Sequence, residues 1–416
     1  LLGAGYNPKM TYMLNFGDFT ATTPVTADKS VDVTVTGTFD IASKEDWKAF
    51  CDLVNSGQTK LNAKMTADVD LETEIKMLGY GKSYSGTFDG QGHTLTLNWN
   101  SGSETRIAPF YSVDGATIRN LRTEGYIKSI TYGLSGLIYS VDGATTISGC
   151  VSAVNITSSY NEGGCAAAGM IERVRDNAKV TITDCVVKGK FTATTEEGKR
   201  YMAGFVCNQY GTCTLTNCLY VGENNGTGSN NHTFGYKTTL TNCYYLNACG
   251  EAQGERIVEK QLKSGEVTKK LQADRTDNVW GQTLGTDDEP MLTTEKAKHV
   301  YKVDFKYMDE VKATRYANSG GRVKLPTAKE LLGADYDAQK SYKLAFENGF
   351  SETTAINGDI TVNVTVSVVT GIDGVTDDNA DMNAPVYDLQ GRYIGTSLNS
   401  LPAGVYIRGG KKIMKK

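Results

Sequence analysis

Apolar and polar residues alternate with a period of two along many short runs of this chain. Val31, Val33 and Val35 alternate with polar neighbours, as do Val362, Val364 and Val366, and Thr94-Leu95-Thr96-Leu97 repeats the pattern. Such alternation marks a strand with one buried face. Between residues 108 and 245 the pattern recurs as a unit, in which a small-residue and apolar element is followed by a turn and a strand. The units are Ala108-Pro109-Phe110 with 117–121, Ser135-Gly136-Leu137-Ile138 with 146–150, and Ala168-Gly169-Met170-Ile171 with 181–185. Ala203-Gly204-Phe205-Val206 with 214–218 and Thr233-Phe234-Gly235 with 239–243 complete the set. Their last residues, Leu121, Cys150, Cys185, Cys218 and Cys243, are 29, 35, 33 and 25 residues apart. A fixed core with loops of variable length predicts a solenoid, and units with strands but no helix predict a parallel β-helix. A propeller is the alternative, with four strands per blade in about forty residues. The expected fold class is all-β: a right-handed parallel β-helix with capping helices, flanked by small immunoglobulin-like β-sandwich domains.

The period changes at residues 43–55. Trp47, Phe50, Cys51 and Val54 fall at helical spacing, Ser43 stands where a cap is needed, and Asn55-Ser56-Gly57 ends the run. This helix is expected to cover one open end of the stack. Residues 255–273 are charged, with Ile257, Val258, Leu262, Val267 and Leu271 apolar, and predict one or two short helices closing the far end. Val279-Trp280 then lays an aromatic ring against the stack.

A longer repeat links the two ends. Residues 1–16, LLGAGYNPKMTYMLNF, match residues 331–346, LLGADYDAQKSYKLAF, at a constant offset of 330. After one inserted residue, 23–37 match 354–368 at an offset of 331. Chance similarity of two Thr/Val-rich strands explains the valines but not the fixed LLGA, Tyr, Leu and Phe positions. The later copy has alternating runs in front of it, at 300–305 and 322–325. The expected domains are therefore 1–37 as the second half of a β-sandwich whose first half lies upstream, 38–297 as the β-helix, 298–372 as a complete small sandwich, and 380–416 as a short β domain after a polar link at 377–381.

Composition narrows the function. The chain has 416 residues, 45 glycines, 23 tyrosines, 7 prolines and a net charge of -4. That charge balance excludes a basic nucleic-acid footprint. No apolar run reaches membrane-spanning length, and the first residues lack the basic region of a signal peptide. Nine cysteines are present. Cys150, Cys185, Cys218 and Cys243 occupy matched positions and are expected to stack as thiols inside the coil. Zinc is the alternative, but residues in a line do not make its tetrahedron. Cys165, Cys207, Cys213 and Cys249 lie in or near loops, where one disulfide could form. Asn120, Asp184, Asn217 and Asn242 precede the ladder positions and read as turn residues.

The tail carries Tyr387-Asp388-Leu389-Gln390-Gly391-Arg392 and Leu401-Pro402-Ala403-Gly404-Val405-Tyr406-Ile407. These motifs resemble the short C-terminal domain of exported Bacteroidota proteins, whose longer relatives are type IX secretion sorting signals. The stretch 86–93, the segment Gly133-Leu134-Ser135-Gly136-Leu137 and the tails of the units resemble the glycine-rich GLUG-type repeats of bacterial surface proteins, as do 264–267 and 279–287. The resemblance implies a secreted or cell-surface, adhesin-like protein and carries no catalytic residues.

Read this way, the chain is a non-catalytic binder of glycan or of a surface protein, with no cofactor and no metal. The loops at 126–132, 158–164, 194–201 and 224–232 are the candidate contacts, unless they are merely tolerated insertions. A structural spacer is one alternative. A polysaccharide lyase or glycoside hydrolase is another. It would need converging carboxylates, for which Asp68 with Asp70 and Asp114 with Asp142 are the candidates. The three histidines, His93, His232 and His299, stand in unrelated contexts.

Overall fold

The computed structural model describes residues 2, 6–369 and 384–415, so the expected polar link at 377–381 lies outside the described residues. The chain divides into two units, residues 1–300 and 301–416. Strands dominate both, and helices are few and short.

The first unit is built on three sheets. Sheet I has nine strands, in the order Met10–Asn15, Thr34–Ile41, Asn62–Met65, Thr87–Asp89, Thr117–Arg119, Ala144–Ser148, Lys179–Thr183, Thr212–Thr216 and Thr239–Thr241. Sheet II runs from Val69–Asp70 through Thr94–Asn100, Arg122–Ser129 and Val151–Ser158 to Glu255–Arg256. Sheet III holds Phe110–Asp114, Ile138–Asp142, Ile171–Val174 and Val206–Gln209. Apart from the first pair of sheet I, neighbours within these sheets are parallel. From residue 110 to 224 the chain visits sheets III, I and II in turn, and each circuit adds one strand to sheets III and I and one or two to sheet II.

Register keeps like over like. Ile118, Ile147, Ile182, Leu215 and Leu240 stand opposite one another along sheet I, and the first four are fully buried. Each such side chain contributes about 1.5–3 kcal/mol relative to exposure. Small residues allow close approach where successive circuits meet. A Cβ on Gly169 would lie 2.0 Å from the Gly204 carbonyl oxygen, and one on Gly204 would lie 2.1 Å from that of Thr233. The turn between sheets I and II is left-handed at Asn120, Asp184, Asn217 and Asn242, with φ near 50°. Their short polar side chains tolerate that conformation. Gly149 takes the same place, with φ 63°.

The cysteines that follow these turns are buried and stacked. The thiols of Cys185, Cys218 and Cys243 point at the carbonyls of Ile147, Ile182 and Leu215 in the preceding circuit, at 4.0, 3.8 and 3.5 Å. Burial pushes the Cys185 and Cys218 thiols up, away from the reactive thiolate. Thiol titration without reductant should therefore find Cys185 and Cys218 slow in the native protein and all four ladder cysteines reactive after denaturation. Fewer than four thiols in the denatured chain would refute the ladder.

Helix α1, Lys44–Asn55, starts where Ser43 accepts the Asp46 N–H at 3.2 Å. Trp47, Phe50, Cys51 and Val54 form its buried stripe. They pack on Phe39, Tyr84, Phe88 and Phe110 at the start of the stack. Helices α2, Glu259–Ser264, and α3, Glu266–Gln272, hinge at Gly265, whose φ is 87°. They do not close an end, as the sequence suggested. Val151, Val186, Leu219 and Tyr244 form a column on sheet II. Leu262, Val267, Leu271 and Trp280 cover it. The next residues along, Val187, Tyr220 and Tyr245, are buried in the main core, so these strands are apolar on both faces and the outer one needs a lid.

The expected boundary at residue 37 falls inside a strand. Thr34–Ile41 pairs antiparallel with Met10–Asn15 and, through residues 38–41, parallel with Asn62–Met65. The first copy of the repeat is thus joined directly to sheet I.

In the second unit, Ile360–Val368 is shared between neighbours. Its first half runs parallel to Val300–Tyr307 and its second half antiparallel to Tyr342–Phe346. The fourth strand is Glu310–Asn318, beside Val300–Tyr307. The sequence placed a strand at 322–325 instead. Those residues are irregular, with a bridge from Gly321 to Ile356. The missed signal was Met308-Asp309, with φ of 51° and 63° at both positions, which makes a tight hairpin. Val303, Phe305, Leu331, Ile356, Val362 and Val364 form the core. The tail forms two hairpins, Val386–Tyr387 with Tyr393–Gly395 and Gly404–Arg408 with Lys411–Lys415. Glycines at 391, 409 and 410 supply positive φ at their turns.

Candidate binding face on the four-stranded sheet

Register on sheet III places Ile138 opposite Phe110 and Ile171. It places Ile171 opposite Val206. The next residues along, Tyr111, Tyr139, Glu172 and Cys207, therefore form a row across the strands. Tyr80 extends that row, its ring 4.8 Å from that of Tyr111, and Tyr111 lies 5.2 Å from Tyr139. Tyr80 is 58% exposed, whereas Tyr139 is almost fully covered. The row thus passes from solvent into the protein.

Arginines flank the rings. The neighbouring Tyr111, Tyr139 and Tyr132 hydroxyls hold Arg106 charged, pushing its pKa up. Its guanidinium is 5.8 Å from the centre of the Tyr139 ring, and that of Arg173 is 5.9 Å away. Cations at this distance are attracted to the ring face. At the covered end, Glu172 is wholly buried and accepts a hydrogen bond from Asn208 Nδ2 at 2.6 Å. Burial raises its carboxyl to about 7, against the opposing pull of Arg173, Asn208, Arg106 and Arg175. Glu172 Oε2 and Arg173 Nε form an ion pair at 3.7 Å, beyond hydrogen-bond distance, and Arg106 Nε is buried without a hydrogen-bond partner. Such atoms cost free energy unless something satisfies them. Cys165, fully buried, sits beside Cys207 and Glu172.

Beside the exposed end lies a groove of about 560 Å³, lined in part by Lys76, Tyr80, Glu104, Arg106 and Tyr111. Two of the loops read as candidate contacts approach the row. Tyr132 and Tyr160 stack at 5.2 Å, and Ser158 Oγ donates to the Thr131 carbonyl at 3.1 Å. The other two are stitched to neighbouring backbone. Asn225 accepts from the Ala193 N–H at 2.9 Å, and Asn231 donates to the Lys199 carbonyl at 2.7 Å.

The candidate carboxylates serve turns and pairs. Asp68 accepts from the Thr94 N–H at 2.9 Å and meets His93 at 3.2 Å. Asp70 accepts from the Glu72 N–H at 2.7 Å. Register brings Asp114 opposite Asp142, and Arg175 lies 3.6 Å from the latter. His232 pairs with Glu251 and His299 with Asn278, each at 2.8 Å, far apart in the chain from the tyrosine row. Sequence reading missed Arg106, Tyr139 and Glu172 as a set. The signal was the phrase Tyr-Ser-Val-Asp-Gly-Ala-Thr, present at 111–117 and 139–145, which puts Tyr111 and Tyr139 at one position of successive circuits.

No protein-family model matches the chain, and no curated protein matches it. A solved structure from Bacteroides ovatus, described as a putative immunoglobulin A1 protease, is similar with a TM-score of 0.41 and 13% identity, over 62% of this chain and 93% of that one. Among the described residues, no helix is long and apolar enough to cross a membrane.

Proposed function

We propose that this chain is a non-catalytic, secreted or outer-surface protein that binds a glycan through the tyrosine row of sheet III. Its three parallel sheets are the faces of one parallel β-helix, and residues 301–369 are a small β-sandwich of immunoglobulin-like kind. The tail resembles a sorting domain, which fits export. The observation that carries the binding reading is the continuous Tyr80–Tyr111–Tyr139 row, with Arg106 against it and an open groove at its exposed end. Tyrosine offers a flat apolar face to the C–H side of a sugar ring and a hydroxyl to its polar edge. The arginine and groove-wall polar groups would fix orientation, as in small-molecule sites.

Catalysis finds less support. Glu172 has the raised carboxyl of a general acid, but no part of it reaches solvent. A proton donor must come within hydrogen-bond reach of its substrate. Incubation with a pectin and host-glycan panel should release no reducing sugar and no unsaturated product.

Glycan-array binding of the purified chain tests the reading. Tyr80→Ala removes an exposed ring and should leave the fold intact while weakening the array signal about tenfold, the loss of roughly 1.4 kcal/mol. Arg106→Gln should do at least as much. An array without hits, or hits unchanged by both substitutions, would turn the reading toward a spacer.

A further inference from the structure

The two copies of the terminal repeat fold alike in detail. Tyr12 pairs with Gly37 and Leu14 with Val35, and the counterparts Tyr342 and Leu344 pair with Val368 and Val366. The Tyr12 hydroxyl accepts the Asn7 N–H at 2.8 Å, and that of Tyr342 accepts the Asp337 N–H at 3.0 Å. Tyr6 stacks on Tyr12 at 5.7 Å, and Tyr336 on Tyr342 at 5.5 Å. Thr23 Oγ1 accepts the Thr20 N–H at 2.7 Å, and Thr354 Oγ1 that of Ser351 at 3.0 Å. Shared side-chain bonds at shared offsets make these one structural unit used twice.

They differ in what covers them. In the later copy Val300–Tyr307 lies parallel to residues 360–363. Phe305 packs its ring on Phe346 at 6.0 Å and on Phe350 at 5.7 Å. The turn beyond the hairpin pins Ile356, with Gly320 N–H donating to its carbonyl at 2.7 Å. Asp359 accepts the Lys302 N–H at 2.9 Å. In the first copy the counterparts of 360–363 are Lys29–Asp32, which belong to no strand. Val25 is 61% exposed where Ile356 is 0% exposed. Leu14 and Phe16 are also exposed, and Asp28 lies open where Asp359 takes its backbone partner.

We propose that the face of Val25, Val31, Val33, Leu14 and Phe16 is an acceptor for one β-hairpin of the same kind as 300–318. Its first strand lies parallel to residues 29–32, and it enters from the N-terminal side of the same polypeptide. The later copy supplies the argument, because its occupant is that hairpin and precedes it in the chain. The incoming strand needs apolar residues at every second position to meet the valines, and a free N–H opposite Asp28. Exposed apolar faces and open strand edges of this kind are where further strands add.

The experiment grafts residues 298–330 directly ahead of Leu1 in the full chain, which recreates the spacing of the later copy. Hydrogen exchange of residues 25–35 should slow about tenfold or more, as a newly paired strand does. Phe305→Asp placed in the grafted segment alone should cancel the slowing. Val33→Asp should leave exchange of the ungrafted chain unchanged and abolish the protection in the grafted one. The proposal is overturned if the graft leaves exchange over 25–35 unchanged, or if the aspartate in the graft makes no difference. It is also overturned if the slowing appears only at concentrations where the grafted chain self-associates, because the hairpin is then captured between copies.

Discussion

Replacing Trp47 with alanine is expected to destabilise the first unit by about 3–5 kcal/mol, the usual loss when a buried aromatic is cut back. The side chain is fully buried. Its ring meets Phe88 and Phe110 edge-on, each at 6.0 Å, and its Nε1–H donates to the Lys76 carbonyl at 2.9 Å. Alanine would leave a cavity among those rings and strand that carbonyl. The neighbours cannot collapse into the space, because Phe88 belongs to sheet I and Phe110 to sheet III, and both are held by ladders of backbone hydrogen bonds. Chemical denaturation followed by far-ultraviolet circular dichroism measures the loss. Hydrogen exchange should also show helix α1 opening before the rest of the unit. A shift below about 1 kcal/mol, small for a buried aromatic, would mean that the helix does not cover the stack as described.

The second large effect is expected at Asp184. Both carboxylate oxygens accept from Arg275 Nη1 at 2.9 Å, and Oδ1 accepts from Trp280 Nε1 at 2.8 Å. Arg275 also donates from Nε to the Gln272 carbonyl at 3.0 Å, so one guanidinium ties the turn of a circuit to the end of helix α3. Asp184→Ala removes the acceptor from a buried indole N–H and leaves the arginine without its counter-charge. Breaking a buried pair from one side costs about 3–5 kcal/mol, and the partial exposure of Arg275 places this case near 3 kcal/mol. Asp184→Asn keeps an acceptor for Trp280 and a residue that tolerates φ near 50°, and should lose less than half as much. The readouts are the thermal transition and limited proteolysis across 259–293. If both variants melt like the parent, the lid over sheet II is held by its apolar column alone.

Asp184 also shows where a local reading stops. Its place before a ladder position, shared with Asn120, Asn217 and Asn242, predicts a turn residue, and the positive φ at all four agrees. Turn preference is a property of the residue and its immediate neighbours. The bond to Arg275 joins positions 91 residues apart, and no local pattern encodes it.

The sequence by itself determined the strands of the repeating units, their stacking and the buried stripe of helix α1. It also determined the equivalence of the two terminal copies. In each case the cause is periodic: one residue in two faces the core of a strand, and about three or four in seven face the core of such a helix. A stack adds the same position of every circuit to the same column, so a match in sequence becomes a match in register. Tertiary structure decided three things. It set helices α2 and α3 over the side of sheet II, because Val151, Val186, Leu219 and Tyr244 make an apolar column only once their strands are paired. It carried the first repeat copy into sheet I, because one strand pairs on one side over 34–39 and on the other over 38–41. It assembled Tyr80, Arg106, Tyr111, Tyr139 and Glu172 from four separate segments, since adjacent parallel strands bring together residues that lie a whole circuit apart in the chain.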